Sequence, residues 1–273
     1  MLARNYAPKL GARMFPATGG ARLISAISPV TSLPVTMTAW VRRRTAWDET
    51  AIALGNSANS ASVEIAWSWF GGGLPAARAI NSNASVAGTA AHTKPLNLNE
   101  WHHVAAVFAS TTRRVIYVDT APGVVNTTTV DASPSTWNYI SLGTRNRNGT
   151  PSLHLRGWLA APAVWNAELT DAEILSLAMG AHPYQVRRDK LAFLAPMVEG
   201  GLHPERDTVN GLMCTPSGDV IERAYFPPGY VRQHSRRVFL PASIAAALAP
   251  TIGDLKAVNI TATTVQATYD YAF

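Results

Sequence analysis

Cysteine is almost absent from the 273-residue chain, which contains only Cys214. One cysteine cannot form an intramolecular disulfide, so a small secreted domain held together by disulfides is excluded. No Cys/His cluster has the spacing of a zinc site. We therefore expect neither a metal nor another cofactor.

Charge is also scarce, because Asp, Glu, Lys and Arg together make up 15% of the residues, with a formal net charge of +6. Four basic residues and no acid lie within residues 1–22, and the remainder is nearly balanced. This distribution argues against a nucleic-acid-binding surface. The basic segment is either an arm that docks on an acidic surface or a solvated terminus.

Long hydrophobic runs are missing too. The most apolar stretch, from Val238 to Pro250, is much shorter than a membrane span and contains prolines. The first fifteen residues lack the apolar core of a signal peptide. We expect a soluble protein made in a reducing cytoplasm, with no membrane role.

Short strand-like segments separated by turn signals dominate from Leu23 onward, which predicts an all-β sandwich. The segment 34–41 alternates apolar and polar side chains, and Val63, Ile65, Trp67 and Trp69 share one face of the next clear strand. The runs "HHVAAVFAS" and "RRVIYVDT", separated by "TT", are typical of a hairpin.

One helix is predicted at about residues 171–179. Thr170 and Glu173 have the spacing of a capping box, Leu169 and Ile174 that of a hydrophobic staple, and Gly180 is placed to end the helix.

Four regions follow from these patterns. We predict a basic N-terminal arm at 1–22, a β-sandwich at 23–180, an extended and partly β appendage at 181–237, and a C-terminal arm with a terminal strand at 238–273.

Two adjacent histidines, His102 and His103, stand at the start of "HHVAAVFAS". Neighbouring side chains of a strand point to opposite faces, so the two imidazoles cannot chelate one metal or act as a catalytic pair. We interpret them as structural, one facing the core and the other outward.

Catalytic motifs are not evident. Retaining sandwich glycosidases need two carboxylates about 5 Å apart, but the strand-like segments carry only the isolated acids Glu64, Asp119 and Asp131. No G-x-S-x-G nucleophile elbow is present. The sequence therefore predicts a protein that is not an enzyme and assigns no catalytic residue.

Aromatic side chains are the best candidates for ligand binding. Trp67 and Trp69 form a platform for sugar rings if their shared face is exposed, although core packing is the ordinary role of such residues. With Tyr139 they are the predicted glycan-binding residues.

Five segments in order resemble the laminin-G-like (pentraxin-like) domains of the concanavalin A-like jelly-roll superfamily. They are "VTMTAWVR" (35–42), "NEWHHVAAVF" (99–108), "RRVIYVDT" (113–120), "ISLGTRNR" (140–147) and "LRGWLAAPAVWNAELTDAEILSL" (155–177). The resemblance spans about residues 20–180 and implies a jelly-roll sandwich. Ala160 and Ala161 replace the acidic pair usual in this family, which weakens the expectation of calcium.

Residues 180–218 resemble the extension that follows such domains in tailed-bacteriophage virion proteins. This resemblance implies a non-enzymatic component of a phage particle, in the capsid or tail, whose arms contact other virion subunits, including copies of itself. The expected location is the virion, and host-surface glycans are possible ligands. The alternatives are a separate carbohydrate-binding or adhesion module and, third, a glycan-active enzyme.

Overall fold

A computed structural model of the chain describes residues 9–16, 20–68, 73–133, 136–219, 222–224, 238–241, 256–261 and 264–268. The chain divides into two compact units, Met1–Tyr230 and Val231–Phe273.

Strands dominate both units. In the first half of the chain they are β1 (Ala12–Phe15), β2 (Arg22–Ser25), β3 (Val35–Arg43), β4 (Glu49–Gly55), β5 (Ser62–Ser68), β6 (Leu74–Ile80), β7 (Ala87–Ala91), β8 (Trp101–Ser110), β9 (Arg113–Val118) and β10 (Ala121–Pro122). The others are β11 (Tyr139–Leu142), β12 (Arg145–Arg147), β13 (Thr150–Ser152), β14 (Gly157–Trp165), β15 (Leu191–Leu194), β16 (Glu205–Arg206), β17 (Met213–Ser217), β18 (Glu222–Ala224), β19 (Val238–Pro241), β20 (Lys256–Thr261) and β21 (Thr264–Thr268).

Two large antiparallel sheets form the sandwich. Sheet A has the order β10-β9-β8-β3-β14-β1-β18, with β15 also paired to β14. Sheet B has the order β16-β17-β2-β11-β4-β5-β6-β7, and β12 and β13 form a separate hairpin. The predicted all-β sandwich is thereby confirmed.

The main core lies between the sheets and follows the predicted alternation. Val35, Met37, Ala39 and Val41 of β3 belong to it, as do Val63, Ile65 and Trp67 of β5. The strands β8 and β9 form the predicted hairpin through Thr111 and Thr112. Period-two patterns therefore identified the strands and the side chains that share a face.

A second cluster packs on the outer face of sheet A beneath the helix α1 (Asp171–Ala178). Thr170 and Glu173 form the predicted capping box, and Leu169 and Ile174 are both buried in this cluster. Gly180 follows the helix with a φ of 91°, which is why glycine suits this position. Two 3₁₀ helices, Pro183–Gln185 and Arg188–Lys190, lead from α1 to β15.

The predicted boundaries need correction on both sides of the sandwich. Residues 12–15 of the supposed N-terminal arm form β1, which pairs with β14 and β18 inside sheet A. The supposed appendage is partly β, but its strands β15, β17 and β18 extend both sheets of the same unit. A local pattern cannot show that strands so distant in sequence pair with each other. Residues 1–8 lie outside the described residues.

The C-terminal region contains a three-stranded antiparallel sheet in the order β19-β21-β20. The sequence pattern predicts an arm with one terminal strand in this region, where the structure has three short strands. They belong to the second compact unit.

Two buried Arg–Glu pairs join the sheets across the core. Nε of Arg43 in β3 lies 2.8 Å from Oε2 of Glu49 in β4, and Nη1 of Arg13 in β1 lies 3.3 Å from Oε2 of Glu205 in β16. Burial raises the pKa of both carboxyl groups, while the facing guanidinium groups oppose that rise. Each pair fixes a strand of sheet A relative to one of sheet B.

Candidate functional site

A depression of about 490 Å³ opens at the end of the sandwich where β3 leaves sheet A and β4 enters sheet B. Six residues line it: Ala46, Trp47, Asp48, Leu153, His154 and Arg156. They come from the β3–β4 loop and from the segment that leads into β14. Backbone hydrogen bonds from Arg44 to Arg156 and from Thr50 to Leu153, both 2.8 Å, hold these two segments together.

Trp47 is the most exposed aromatic ring at this site, with 67% of its surface accessible. The guanidinium of Arg156 lies 4.7 Å from the centroid of its ring, a cation–π contact. An indole held in this way presents a large apolar surface next to hydrogen-bond donors. Such a combination suits a ligand with both apolar faces and hydroxyl groups, as sugars have.

The loop that carries Trp47 is anchored from below. Arg43 donates from Nη2 to the carbonyl oxygen of Trp47 at 2.6 Å, and Thr45 donates to Oε1 of Glu49 at 2.6 Å. The buried Arg43–Glu49 pair therefore fixes the loop as well as the two strands. The backbone at Trp47 is therefore held by Arg43 and not by packing of the indole ring.

His154 forms the polar floor of the depression. Its Nδ1 lies 3.2 Å from the hydroxyl oxygen of Thr144. Partial burial and the positive charges of Arg22 and Arg156 lower its pKa, so the ring is neutral at neutral pH. With Nδ1 at the Thr144 hydroxyl, Nε2 is the ring nitrogen that remains to form a hydrogen bond with a ligand hydroxyl group.

A row of aromatic and basic side chains continues from the depression over the outer face of sheet A. Trp101, Arg42 and Trp158 occupy facing positions on β8, β3 and β14. The Arg42 guanidinium lies 4.6 Å from the centroid of the Trp158 ring, and that of Arg44 lies 5.9 Å from it. We call Arg42, Arg44, Trp101 and Trp158 the arginine–tryptophan strip.

The predicted glycan-binding residues do not form an exposed platform. Trp67 is fully buried in the core, with its ring 4.8 Å from the guanidinium of Arg43. Tyr139 is 2% exposed, and burial raises its pKa above the ordinary value. Neither ring is available to stack on a sugar, which corrects the prediction for both. Trp69 lies outside the described residues, so its role stays a prediction.

The two histidines are separated as predicted. Adjacent positions on β8 send them to opposite faces of sheet A. Nδ1 of His102 lies 2.9 Å from Oδ2 of Asp119. The ring of His103 packs edge-on against Trp40 on the outer face, at 5.4 Å between centroids. Burial lowers the pKa of His103 to about 4.

Sequence reasoning missed Trp47, His154 and Arg156. One signal was present: Trp47 stands in the largely polar segment "RRRTAWDET", where Ala46 is the sole other apolar residue. A tryptophan in such a segment has no strand face to bury it. Nothing local in the sequence connects it to His154, more than a hundred residues away.

The described residues hold neither a metal-binding cluster nor a membrane-spanning helix. They contain no group of three or more His, Cys, Asp and Glu side chains placed to hold a metal ion. Within the same residues, no helix has the length and apolarity needed to cross a membrane.

Comparisons with known proteins agree on the fold. A family model described as the concanavalin A-like lectin/glucanases superfamily matches residues 17–175, which is more than half of the chain. A search of curated proteins gives no significant match.

Among solved structures, a heptameric SAP-like pentraxin from Limulus polyphemus superposes with a TM-score of 0.58 at 12% identity, covering 82% of this chain and 98% of the pentraxin. A proposed carbohydrate-binding protein from Bacteroides ovatus gives 0.58 at 15% identity, covering 82% of this chain and 62% of that one.

Proposed function

The chain belongs to the concanavalin A-like lectin/glucanase superfamily, and we propose that it is a non-catalytic carbohydrate-binding protein whose site is the depression around Trp47. The observation that carries the proposal is the exposed Trp47 ring beside the polar side chains of Asp48, His154 and Arg156. A pocket with one apolar surface and several convergent polar groups is the usual form of a small-ligand site.

The carboxylates considered for catalysis support a non-enzymatic role. Glu64 is fully buried on β5 of sheet B, and its Oε1 accepts a hydrogen bond from the hydroxyl of Ser62 at 3.0 Å. Asp119 follows β9 of sheet A and is bonded to His102 and to the backbone N–H of His103. The two acids belong to different sheets and so do not form the pair that glycoside hydrolysis requires.

The test is glycan-array binding by the full chain, followed by calorimetric titration of the best glycan. Trp47→Ala should lower the affinity at least about tenfold, as expected for the central aromatic residue of a binding site. Leu202→Ala is the matched control, because Leu202 is also 67% exposed but does not line the depression. Unchanged affinity in Trp47→Ala would refute this site. Release of reducing sugar from the bound glycan would refute the non-catalytic assignment.

We also propose that the protein is a component of a bacteriophage particle and presents this site to host-surface glycans. The support is the resemblance of residues 180–218 to the extension in phage virion proteins. In addition, the three-stranded sheet of the second unit has β19 and β20 as its edge strands. An edge strand offers backbone groups for strand addition by another subunit, including a second copy of this chain.

This second proposal has a direct test. Antibodies raised against the full chain should label phage particles in immunogold electron microscopy, and the chain should remain with the particles through gradient purification. Absence of the chain from purified particles by mass spectrometry would refute the virion role. It would leave the carbohydrate-binding proposal intact.

A further inference from the structure

The arginine–tryptophan strip contains two guanidinium groups without acidic partners. Among the described residues, neither Arg42 nor Arg44 has a side-chain hydrogen bond or an ion pair, and both lie against the Trp158 ring. Nε of Arg42 is buried and has no hydrogen-bond partner. A guanidinium carries five N–H donors, and a buried donor left unpaired is destabilising. That Nε is closed to a ligand, but the partly exposed remainder of Arg42 and the exposed Arg44 leave other N–H groups to bind an acceptor from outside the chain.

The position of the strip on the sheet favours an extended ligand. Trp101, Arg42 and Trp158 lie on three adjacent strands, so the two tryptophans are separated by two strand spacings, or about 10 Å. The side chains of all three are partly exposed, and that of Arg44 is exposed. A flat chain of rings laid across the strands meets an indole, a guanidinium and a second indole in turn.

The strip is continuous with the depression. The backbone N–H of Arg44 donates to the carbonyl of Arg156, whose guanidinium lies against Trp47. Arg44 in turn lies 5.9 Å from the centroid of the Trp158 ring, so a chain of contacts joins Trp47 to the strip. The proposed sugar site and the strip can be occupied by one chain.

The strip carries the two positive charges of Arg42 and Arg44. Asp48 and Arg156 both line the depression. At the Trp101 end of β8, the carboxylate of Asp119 is already bonded to His102 and to the backbone N–H of His103, and that of the exposed Glu100 accepts a hydrogen bond from Asn97. Glu222 of β18 stands two positions beyond Trp158 in the same row, with Met14 between them. No acid in the described residues is paired with Arg42 or Arg44.

We infer that the ligand of the proposed site is an acidic polysaccharide bearing carboxylates, which extends from Trp47 across the strip so that Arg42 and Arg44 bind its carboxylate groups. This inference rests on the proposed carbohydrate-binding function and specifies its ligand class. Arginine binds a carboxylate through two parallel N–H···O bonds, and the flanking indoles stack on the sugar rings. Arg42 stands between two indoles and Arg44 lies beside the second, which matches the alternation of charge and ring in such a chain. A nucleic acid needs a wider basic surface than this.

The experiment titrates the full chain with an oligogalacturonate and with its methyl ester, which has the same rings but no carboxylate charge. Arg44→Gln should lower the affinity for the acid about tenfold, and Arg42→Gln with Arg44→Gln about a hundredfold. Neither should change the affinity for the ester. Because Arg44 is exposed, Arg44→Gln tests the idea even if Arg42→Gln impairs folding.

The matched control is Arg188→Gln. Arg188 is an exposed arginine that also lies against an aromatic ring, at 3.4 Å from the Tyr184 centroid, but it is outside the strip. Its substitution should leave the affinity for the acid unchanged. An equal loss in Arg188→Gln would reduce the effect to net charge and overturn the inference.

The remaining outcomes separate the inference from the proposed function. Equal affinity for acid and ester, with both lowered by Trp47→Ala, would overturn the acidic ligand and retain the carbohydrate site. If Arg44→Gln lowers the affinity for the acid and Trp47→Ala does not, the strip remains the binding surface and the site around Trp47 is overturned. Equally tight binding of a single-stranded oligonucleotide would overturn the assignment to glycans.

Discussion

The guanidinium of Arg43 lies 4.8 Å from the centre of the Trp67 ring, and both side chains are buried between the sheets. Trp67, predicted to bind sugar directly, instead packs against the residue that anchors the Trp47 loop. At the proposed carbohydrate site, Trp67 is therefore a support for the Trp47 loop and not a surface for sugar rings.

Arg43→Met should lower the free energy of unfolding by about 3–5 kcal/mol, because it leaves Glu49 buried without its cation. The double variant Arg43→Met, Glu49→Gln should be more stable than the single one, since no unpaired charge is buried. Urea unfolding monitored by tryptophan fluorescence measures both. Equal destabilisation in the two variants would contradict a role for the ion pair.

Because of His103, the folded protein should become less stable as the pH falls. Burial lowers its pKa in the folded protein to about 4, against about 6.5 when unfolded. Between these values the unfolded chain binds more protons than the folded one, so the free energy of unfolding decreases as pH falls from about 6.5 to about 4. The integrated loss is about 3 kcal/mol.

The comparison that isolates this effect is His103→Gln, measured by urea unfolding across the same pH range. The difference in stability between wild type and variant should shrink by that amount as the pH falls, because glutamine does not titrate. A difference that stays constant with pH would show that His103 has the same pKa in the folded and unfolded chain.

Gly143 should tolerate alanine less well than Gly201. Both have left-handed backbone, with φ of 73° and 62°. A Cβ at Gly143 would overlap Cε1 of Phe15, whereas one at Gly201 meets nothing within 4 Å. We expect Gly143→Ala to cost about 2–4 kcal/mol and Gly201→Ala about 1–2 kcal/mol. Thermal unfolding of the pair measures the difference, and equal costs would show that Phe15 moves aside without penalty.

Arg13→Met should expose Cys214. Arg13 donates to Glu205 and to the carbonyl groups of Gly201 and His203, and Glu205 faces Cys214 across the β16–β17 pair. Burial raises the pKa of the Cys214 thiol to about 12. Loosening this segment should therefore speed labelling by a thiol reagent, with Arg13→Lys intermediate. Because Cys214 is the sole cysteine, the signal has one source.

One result of the thiol-labelling experiment would contradict this prediction. If Arg13→Met labels no faster than wild type below the onset of unfolding, the ion pair does not hold β16 and β17 in place. A matched measurement on Leu202→Ala, a change of an exposed side chain in the same segment, reports any nonspecific effect.

Local chemistry explains which parts of the fold were predictable. The capping box at Thr170 and Glu173 needs only neighbouring residues, and the alternation in β3 and β5 needs only one strand and one apolar face. These features were identified correctly because their physical cause lies within a few residues. The separation of His102 and His103 follows from the same period.

Distant pairing explains what was missed. The strand β1 is short and contains Arg13, whose burial depends on Glu205 far along the chain. For Trp67, alternation showed which residues share its face but not that this face turns inward. The site around Trp47 depends on two segments that meet only after both sheets have formed.

The pairing of β1 also has a consequence for folding during synthesis. Arg13 and Glu205 are 192 residues apart, and β1 pairs with β18 as well as β14. Contacts of such long range form slowly, because the loop between the partners must close first. Until the ribosome has released the segment through β18, the edge of β1 that β18 covers stays open to other chains. The region mistaken for an appendage is thus the last part of the sandwich to be synthesised, and it covers the edge of β1 only once it has emerged.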